Sequence, residues 1–185
     1  MVIAKRQDDK IVVGISGRDS LVEMCENDYY LEENLPFWKV NGEKDCYVFS
    51  SKVSFSTNLL RYNDKIFKGI IDGKSIMQNI VPKIKEILGE YFCLTNGKRW
   101  DSQLLIIKGN KMFTINDYFI VTEIEQSVAL GYTPYLNSGL EESCDMTAEE
   151  SILFSVRGLE SIQNIKLFPL VTFNTKTKKK KVHCK

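Results

Sequence analysis

The sequence is poor in the residues that most metal and hydrolase sites require. Among its 185 residues there is a single histidine, His183, and the five cysteines form no C-x-x-C pair. A structural zinc site needs close pairs of such ligands, and a Ser-His-Asp or Cys-His hydrolase needs a histidine held within its fold. Because His183 lies in a lysine-rich end segment, we expect neither of these sites, no bound metal and no cofactor.

The chain also lacks a charge excess and a long apolar run. Lys and Arg number 25 against 24 for Asp and Glu, so the net charge of +1 does not favour nucleic acid as a partner. No apolar stretch approaches the roughly 20 residues of a membrane helix, and the opening MVIAKRQDDK is not a signal peptide. Scattered cysteines in a chain of this size are typical of reduced thiols, which predicts a cytoplasmic protein. These cysteines are Cys25, Cys46, Cys93, Cys144 and Cys184.

Two groups of short apolar segments predict strands. The first group begins with a nearly continuous apolar run at residues 11–15, then a turn and a second run at 21–25, which together predict a hairpin. A further strand is expected at 45–49. The second group, at 102–124, contains three runs separated by asparagine-rich turns. A last strand is expected at 167–173.

Helical periodicity follows each group of strands. Apolar residues recur at steps of three and four between 76 and 88, where Pro82 is expected to kink the helix. A short helix is expected at 133–143. Thr147 and Glu150 form a capping box that predicts the start of a helix over 147–162.

Clustered strands followed by amphipathic helices predict an α+β fold rather than a doubly wound parallel sheet. We expect a four-layer αββα sandwich of two mainly antiparallel sheets. Its single domain would span 10–174, after an amino-terminal extension at 1–9 and before a basic, flexible tail at 175–185. The lysine run in that tail favours solubility over contact with nucleic acid or an acidic partner.

Several segments resemble the proteasome β-type family of amino-terminal-nucleophile (Ntn) hydrolases, which includes the peptidase subunit of the bacterial two-component protease. The segment K-I-V-V-G-I at 10–15 is similar to the strand that opens the family, and L-V-E-M-C-E at 21–26 to the one after it. The segments L-I-I-K-G-N at 105–110 and V-A-L-G at 128–131 are similar to its later strands. The resemblance implies the same αββα sandwich.

The resemblance also assigns positions to the family's active site, where the first residue of the mature chain supplies the nucleophile and its α-amine the base. The position that matches the nucleophile is Lys10, which has no hydroxyl or thiol, and no Gly-Thr, Gly-Ser or Gly-Cys junction precedes it. Removal of Met1 would expose Val2 and no nucleophile. Glu26 and Lys39 match the family's acid and lysine, and Tyr132 stands where the family has a serine.

These departures predict a catalytically inactive Ntn-fold protein that acts through self-assembly or partner binding. The resemblance implies a homo-oligomer, because family members pack helix layers against one another in rings. The helices at 74–88 and 147–162 would be the contact surfaces. The alternative is an active amide-bond hydrolase of the threonine-peptidase kind, with an unrecognised nucleophile or one that processing exposes.

Overall fold

The computed structural model describes residues 1–16, 36–70, 72–96, 98–131 and 133–184. Within these ranges the strands form two five-stranded sheets, and every neighbouring pair is antiparallel. The strands are β1 Val2–Gln7, β2 Lys10–Ser16, β3 Phe37–Lys39, β4 Cys46–Ser50, β5 Leu104–Lys108, β6 Lys111–Ile115, β7 Val121–Ile124, β8 Ser127–Leu130, β9 Leu170–Asn174 and β10 Lys180–His183. The longer helices are α1 Phe55–Tyr62, α2 Val81–Glu90, α3 Thr133–Glu142 and α4 Ala148–Gln163. The predicted α+β fold with two antiparallel sheets is confirmed.

One compact unit comprises Met1–Leu35 and Glu125–Lys185. Its sheet has the order β10-β9-β2-β1-β8, and α3 and α4 pack against each other and against this sheet. Inward-facing residues of α4, including Ile152, Val156 and Leu159, form the core with Ile3 and Leu170 of the strands. None of the described helices of either unit combines the length and apolarity that a membrane span needs.

The other compact unit, Pro36–Ile124, contains the second sheet, in the order β3-β4-β5-β6-β7. Alternate residues of β5 and β6, such as Leu104, Ile106 and Phe113, face a core shared with α1 and α2. A π-helical turn at Ile76–Ile80 leads directly into α2. In place of the expected kink, Pro82 lies in the first turn of α2, at the point where the helix changes from π to α.

The helix predicted from the capping box is confirmed as α4. The Thr147 side chain accepts a hydrogen bond from the Glu150 amide, and the Glu150 carboxylate accepts one from the Thr147 amide. The Thr147 hydroxyl also donates to that carboxylate at 2.6 Å. This hydrogen bond, and second the one from the Thr147 amide, hold the pKa of Glu150 below its usual range. A cap of this kind depends only on residues three apart, which is why the sequence alone could locate it.

The structure differs from the sequence prediction at both ends of the chain. Residues 2–7, expected to precede the domain, form β1, which pairs with β2 on one side and with β8 on the other. Its first half is apolar and buried, so it belongs to the sheet core. Residues 180–183, expected in a flexible tail, form β10 at the edge of the same sheet, after a turn in which Asn174 accepts two backbone hydrogen bonds.

The hairpin expected between residues 11–15 and 21–25 cannot be followed, since its second half lies outside the described residues. The partners of β2 among the described residues are β1 and β9.

Two glycines allow α4 to approach its neighbours closely. A Cβ on Gly14 of β2 would lie 2.5 Å from Ile152 Cγ2 of α4. A Cβ on Gly139 of α3 would lie 2.9 Å from the Ser155 Cα, which is backbone and cannot rotate away. Both distances are shorter than carbon contacts allow, so these two packing contacts require glycine.

The contact between α3 and α4 gives a first prediction. Gly139→Ala should destabilise the protein because the added methyl group meets the α4 backbone. Gly158→Ala, also within a helix, is the matched control: its Cβ would have no heavy atom within 4 Å, so it should stabilise by about 0.5–1 kcal/mol through helix propensity. In urea unfolding the two variants should differ by about 1–3 kcal/mol or more. Equal stabilities would contradict the close packing of the two helices.

Candidate functional site

The α-amine of Met1 lies at the amino end of β1, next to the buried strand β2. Because β1 and β2 are antiparallel with Val2 opposite Ile15, Met1 lies opposite Ser16. The Met1 α-ammonium donates to the Ser16 carbonyl oxygen at 3.2 Å, and the Ser16 amide donates to the Met1 carbonyl at 3.1 Å. The Ser16 hydroxyl, itself buried, donates to the Leu167 carbonyl at 2.6 Å.

Burial changes the acid–base chemistry of this amine. It lowers the pKa of the Met1 ammonium to about 6, because burial removes the hydration that favours the charged form. Near pH 7 most of the amine is therefore neutral and able to accept a proton. This is the property that an Ntn hydrolase requires of its base.

Neither Met1 nor Ser16 supplies a nucleophile to match that base. The Met1 side chain is a thioether, which carries no ionisable proton, and it packs against the apolar core of α4 and the strands. The Ser16 proton is engaged by a carbonyl oxygen, which cannot accept it as a base. The hydrogen-bonded pair of Met1 and Ser16 therefore offers a base without a free hydroxyl or thiol nucleophile.

Of the four site residues predicted from sequence, the structure describes Lys10 and Lys39, which belong to different units. Lys10 is the first residue of β2 and pairs with Gln7, so it lies at the end of β1 opposite to Met1. The first strand of the sheet begins at Val2, whereas the match of Lys10 to the nucleophile took β2 as the first strand. Lys39 is exposed at the end of β3, in the unit that does not contain Lys10. Glu26 and Tyr132 lie outside the described residues.

A polar cluster missed by the sequence analysis surrounds the amino end of α1. The Lys52 ammonium pairs with the Asp101 carboxylate at 2.9 Å, and the Ser56 hydroxyl donates to the same carboxylate at 2.7 Å. The Ser54 and Ser56 hydroxyls are 2.8 Å apart. Ser54 is also the N-cap of α1. Asp101 is distant in sequence, so no local pattern indicated the cluster.

The electrostatics of this cluster argue against acid–base catalysis. Burial alone would raise the pKa of Asp101, but the hydrogen bonds from Lys52 and Ser56 outweigh it and the net shift is downward. A carboxylate of lowered pKa is a poor base for a hydroxyl, because proton transfer to it becomes less favourable. The hydroxyls of Ser54 and Thr57 are already engaged in the α1 capping box. We interpret the cluster as the structural start of α1.

A serine–lysine contact in the first unit has a similar structural character. The Lys5 ammonium lies 2.7 Å from the Ser151 hydroxyl oxygen and 2.9 Å from the Ser143 carbonyl. Ser151 donates its own proton to that same carbonyl at 2.8 Å and is fully buried. Lys5 thus places a cation at the carboxyl end of α3, where the helix dipole favours it, and no substrate could reach the serine.

No group of three or more His, Cys, Asp or Glu side chains among the described residues is arranged to hold a metal ion.

The buried amine gives a prediction on pH. In a chain that begins at Met1, the unfolded amine titrates near 8.0 and the folded one near 6, so between these values the unfolded state binds more protons. Stability should therefore rise as the pH increases through this window, by about 2–3 kcal/mol in total. Urea unfolding at intervals across the window measures it, with His183→Gln to remove the histidine's contribution. An N-acetylated chain that shows the same rise would contradict the assignment to the amine.

Comparison with known proteins rests on structure alone. No family sequence model matches the chain, and no curated protein matches it by sequence. The BPH protein of Thiobacillus denitrificans superposes with a TM-score of 0.70 and 17% identity, covering 94% of this chain and 96% of that one. The same protein in complex with epoxomicin gives 0.67 and 16% identity over the same shares of the two chains.

Two further neighbours share the architecture. Eukaryotic HslV from Trypanosoma brucei gives a TM-score of 0.61 at 12% identity, covering 94% of this chain and 97% of that chain. Anbu, an ancestral beta-subunit, from Yersinia bercovieri gives 0.65 at 13% identity, covering 98% and 86%. With these identities the likeness concerns the fold rather than the activity. The chain therefore has the fold of the proteasome-type Ntn hydrolases.

Proposed function

We propose that the protein is a non-catalytic member of the Ntn-fold group that acts through self-assembly or partner binding. The observation that carries the proposal is the side chain at the amino end of β1. There Met1 contributes a thioether that packs into the core, where catalysis would need a hydroxyl or thiol. The Ser16 hydroxyl opposite it is buried and donates to a carbonyl.

An alternative, an active amide-bond hydrolase, has one observation in its favour. The Met1 amine has a pKa of about 6 and is a competent base near neutral pH. Processing that left Thr, Ser or Cys at a new amino terminus would supply a nucleophile together with its own α-amine as the base. The first such residue in the chain is Ser16, so this processing would remove β1 and all of β2 before Ser16. Intact-mass measurement of the purified protein distinguishes the two functions, because that processing changes the mass by a defined amount.

The proposal predicts an absence of peptide-bond chemistry. Fluorogenic peptides should not be turned over. Epoxomicin, with which the Thiobacillus denitrificans protein forms a complex, should leave the intact mass of this protein unchanged. The Thiobacillus protein serves as the positive control for epoxomicin binding. A covalent adduct, or turnover above the buffer rate, would contradict the proposal.

Lys10→Ala tests whether a catalytic site lies at Lys10 rather than at the amino end of β1. Lys10 is half-buried at the turn between β1 and β2, so its loss should change folding little and should leave peptide turnover at the buffer rate. Turnover that is present in the parent protein and disappears in this variant, with the fold intact, would restore Lys10 as a catalytic residue.

The outer face of α4 is the surface that we propose for self-assembly. Phe154 and Ile162 are 43% and 68% exposed on a helix whose other face is core. Phe154 lies in a groove of about 640 Å³, whose other lining residues include Leu153, Arg157 and Glu150. If two copies of α4 cross in antiparallel fashion, Arg157 of each copy can meet Glu150 of the other around an apolar centre. A surface that is complementary to itself in this way suits a two-fold dimer.

The assembly proposal is tested by sedimentation over a wide concentration range. The parent protein should sediment above the 21.3 kDa of one chain, and Phe154→Glu should shift the equilibrium to the monomer by placing a charge in the apolar centre. Tyr62→Glu is the matched control, since Tyr62 is 87% exposed and lies in the other unit. A parent protein that stays monomeric throughout, or equal effects of both variants, would reject this interface.

The cytoplasm remains the proposed location, with one correction to its basis. Cys46, Cys93 and Cys144 are free thiols, and burial raises the pKa of Cys46 to about 11, which makes that thiol unreactive. The expectation of reduced cysteines is wrong for Cys184, which is disulfide-bonded. Disulfides in the cytoplasm are uncommon and often regulatory, so the location rests on the sequence features rather than on this bond.

A further inference from the structure

Edge strand β10 is followed directly by the disulfide-bonded Cys184, which tethers its end, and the side-chain contacts that we describe within the strand are polar. It pairs with β9 over four residues and is lysine-rich, with no fully buried residue among Lys180–His183. Edge strands of this composition are weakly attached, since little apolar surface is buried and exposed ion pairs contribute little. The Lys181 ammonium reaches the Glu149 carboxylate of α4 at 2.7 Å, and both groups are substantially exposed.

His183 makes the most buried polar contact of this strand. Its Nε2 lies 2.9 Å from the Thr172 hydroxyl of β9 and 3.4 Å from Oε1 of Glu149. The same Oε1 accepts the hydrogen bond from Lys181. One imidazole nitrogen therefore faces a buried hydroxyl and a carboxylate oxygen that an ammonium already occupies. Since both partners contact the same nitrogen, the arrangement cannot relay a proton through the ring as a catalytic triad does.

We propose that His183 is a protonation-dependent latch, which holds β10 against β9 and α4 while the imidazole is neutral and loosens the strand when the imidazole gains a proton. The neutral ring needs only the Thr172 hydroxyl as a partner. The charged ring competes with Lys181 for a single carboxylate oxygen, in a place where most of its own surface is removed from water. Loosening of β10 uncovers the backbone edge of β9, whose side chains are almost all buried.

The charges around the ring decide the direction of the effect. Burial lowers the pKa of His183, and Lys181 on its own strand and Arg157 on α4 lower it further, whereas Glu149 raises it. The net shift is downward, so the folded strand disfavours the protonated ring. The attachment of β10 is therefore fully present above the pKa of the unfolded histidine, near 6.5, and weakens as the pH falls through the lower folded value.

The latch is tested by amide hydrogen exchange of residues 180–183 in the full chain, corrected for the intrinsic pH dependence of exchange. Reductant is omitted so that the Cys184 disulfide stays intact. Opening of β10 relative to β9 should increase several-fold between about pH 7.5 and pH 5.5. His183→Gln, which keeps a polar partner for Thr172 but cannot titrate, should lose this pH response.

A second measurement separates the latch from a purely structural role. Because the chain has one histidine, its imidazole gives a single NMR titration curve, and the midpoint should lie below 6.5. Glu149→Gln should lower the midpoint further, since it removes a nearby carboxylate that favours the charged ring. A midpoint at or above the unfolded value, or a pH response of β10 that survives in His183→Gln, would overturn the proposal.

Discussion

The packing of α4 across β1 and β2 is the contact on which the first unit depends. At Gly14 the strand presents no side chain, and Ile152 occupies the space that a Cβ would fill. Polar anchors then fix the helix at both of its ends. Near the amino end, the Gln7 side chain accepts a hydrogen bond from the Ala148 amide. Near the carboxyl end, the buried Glu160 carboxylate accepts hydrogen bonds from the Leu167 and Phe168 amides, at 2.5 and 3.1 Å.

The same packing accounts for the chemistry at the start of the chain. The loop after α4 brings the Leu167 carbonyl to the Ser16 hydroxyl, and the core beneath α4 accepts the Met1 side chain. The α-amine is consequently desolvated, which gives it the lowered pKa of a general base. The Met1 amine therefore lies close to Ser16 as a consequence of close packing. The Ser16 hydroxyl donates its proton to the Leu167 carbonyl oxygen.

The features that could be predicted from sequence are those governed by neighbours along the chain. The capping box of Thr147 and Glu150 is local, and so is the apolar stripe that leads into α2. The pairing of β1 with β8 joins residues more than 120 positions apart, and no local pattern indicates it. Lys10 was matched to the nucleophile because the apolar run at 11–15 resembles an opening strand more closely than residues 2–7 do. For the same reason β1 was not predicted. The Ser56–Asp101 hydrogen bond was missed because its partners are 45 positions apart.

Several described serines that might have served as nucleophiles instead form hydrogen bonds within one unit or the other. Ser16 closes a loop, Ser151 joins Lys5 to the end of α3, and Ser54 caps α1. A hydroxyl that donates to a backbone carbonyl must give up that hydrogen bond before it can lose its proton to a base. If the carbonyl is buried, it is then left without a hydrogen bond, at a cost of about 1–3 kcal/mol. Ser16 and Ser151 therefore stabilise the fold by the same hydrogen bond that makes each a poor nucleophile, whereas Ser54 accepts from the Thr57 amide as a helix cap. Among the described residues, the hydroxyls of Ser16 and Ser151 thus serve the packing of the first unit.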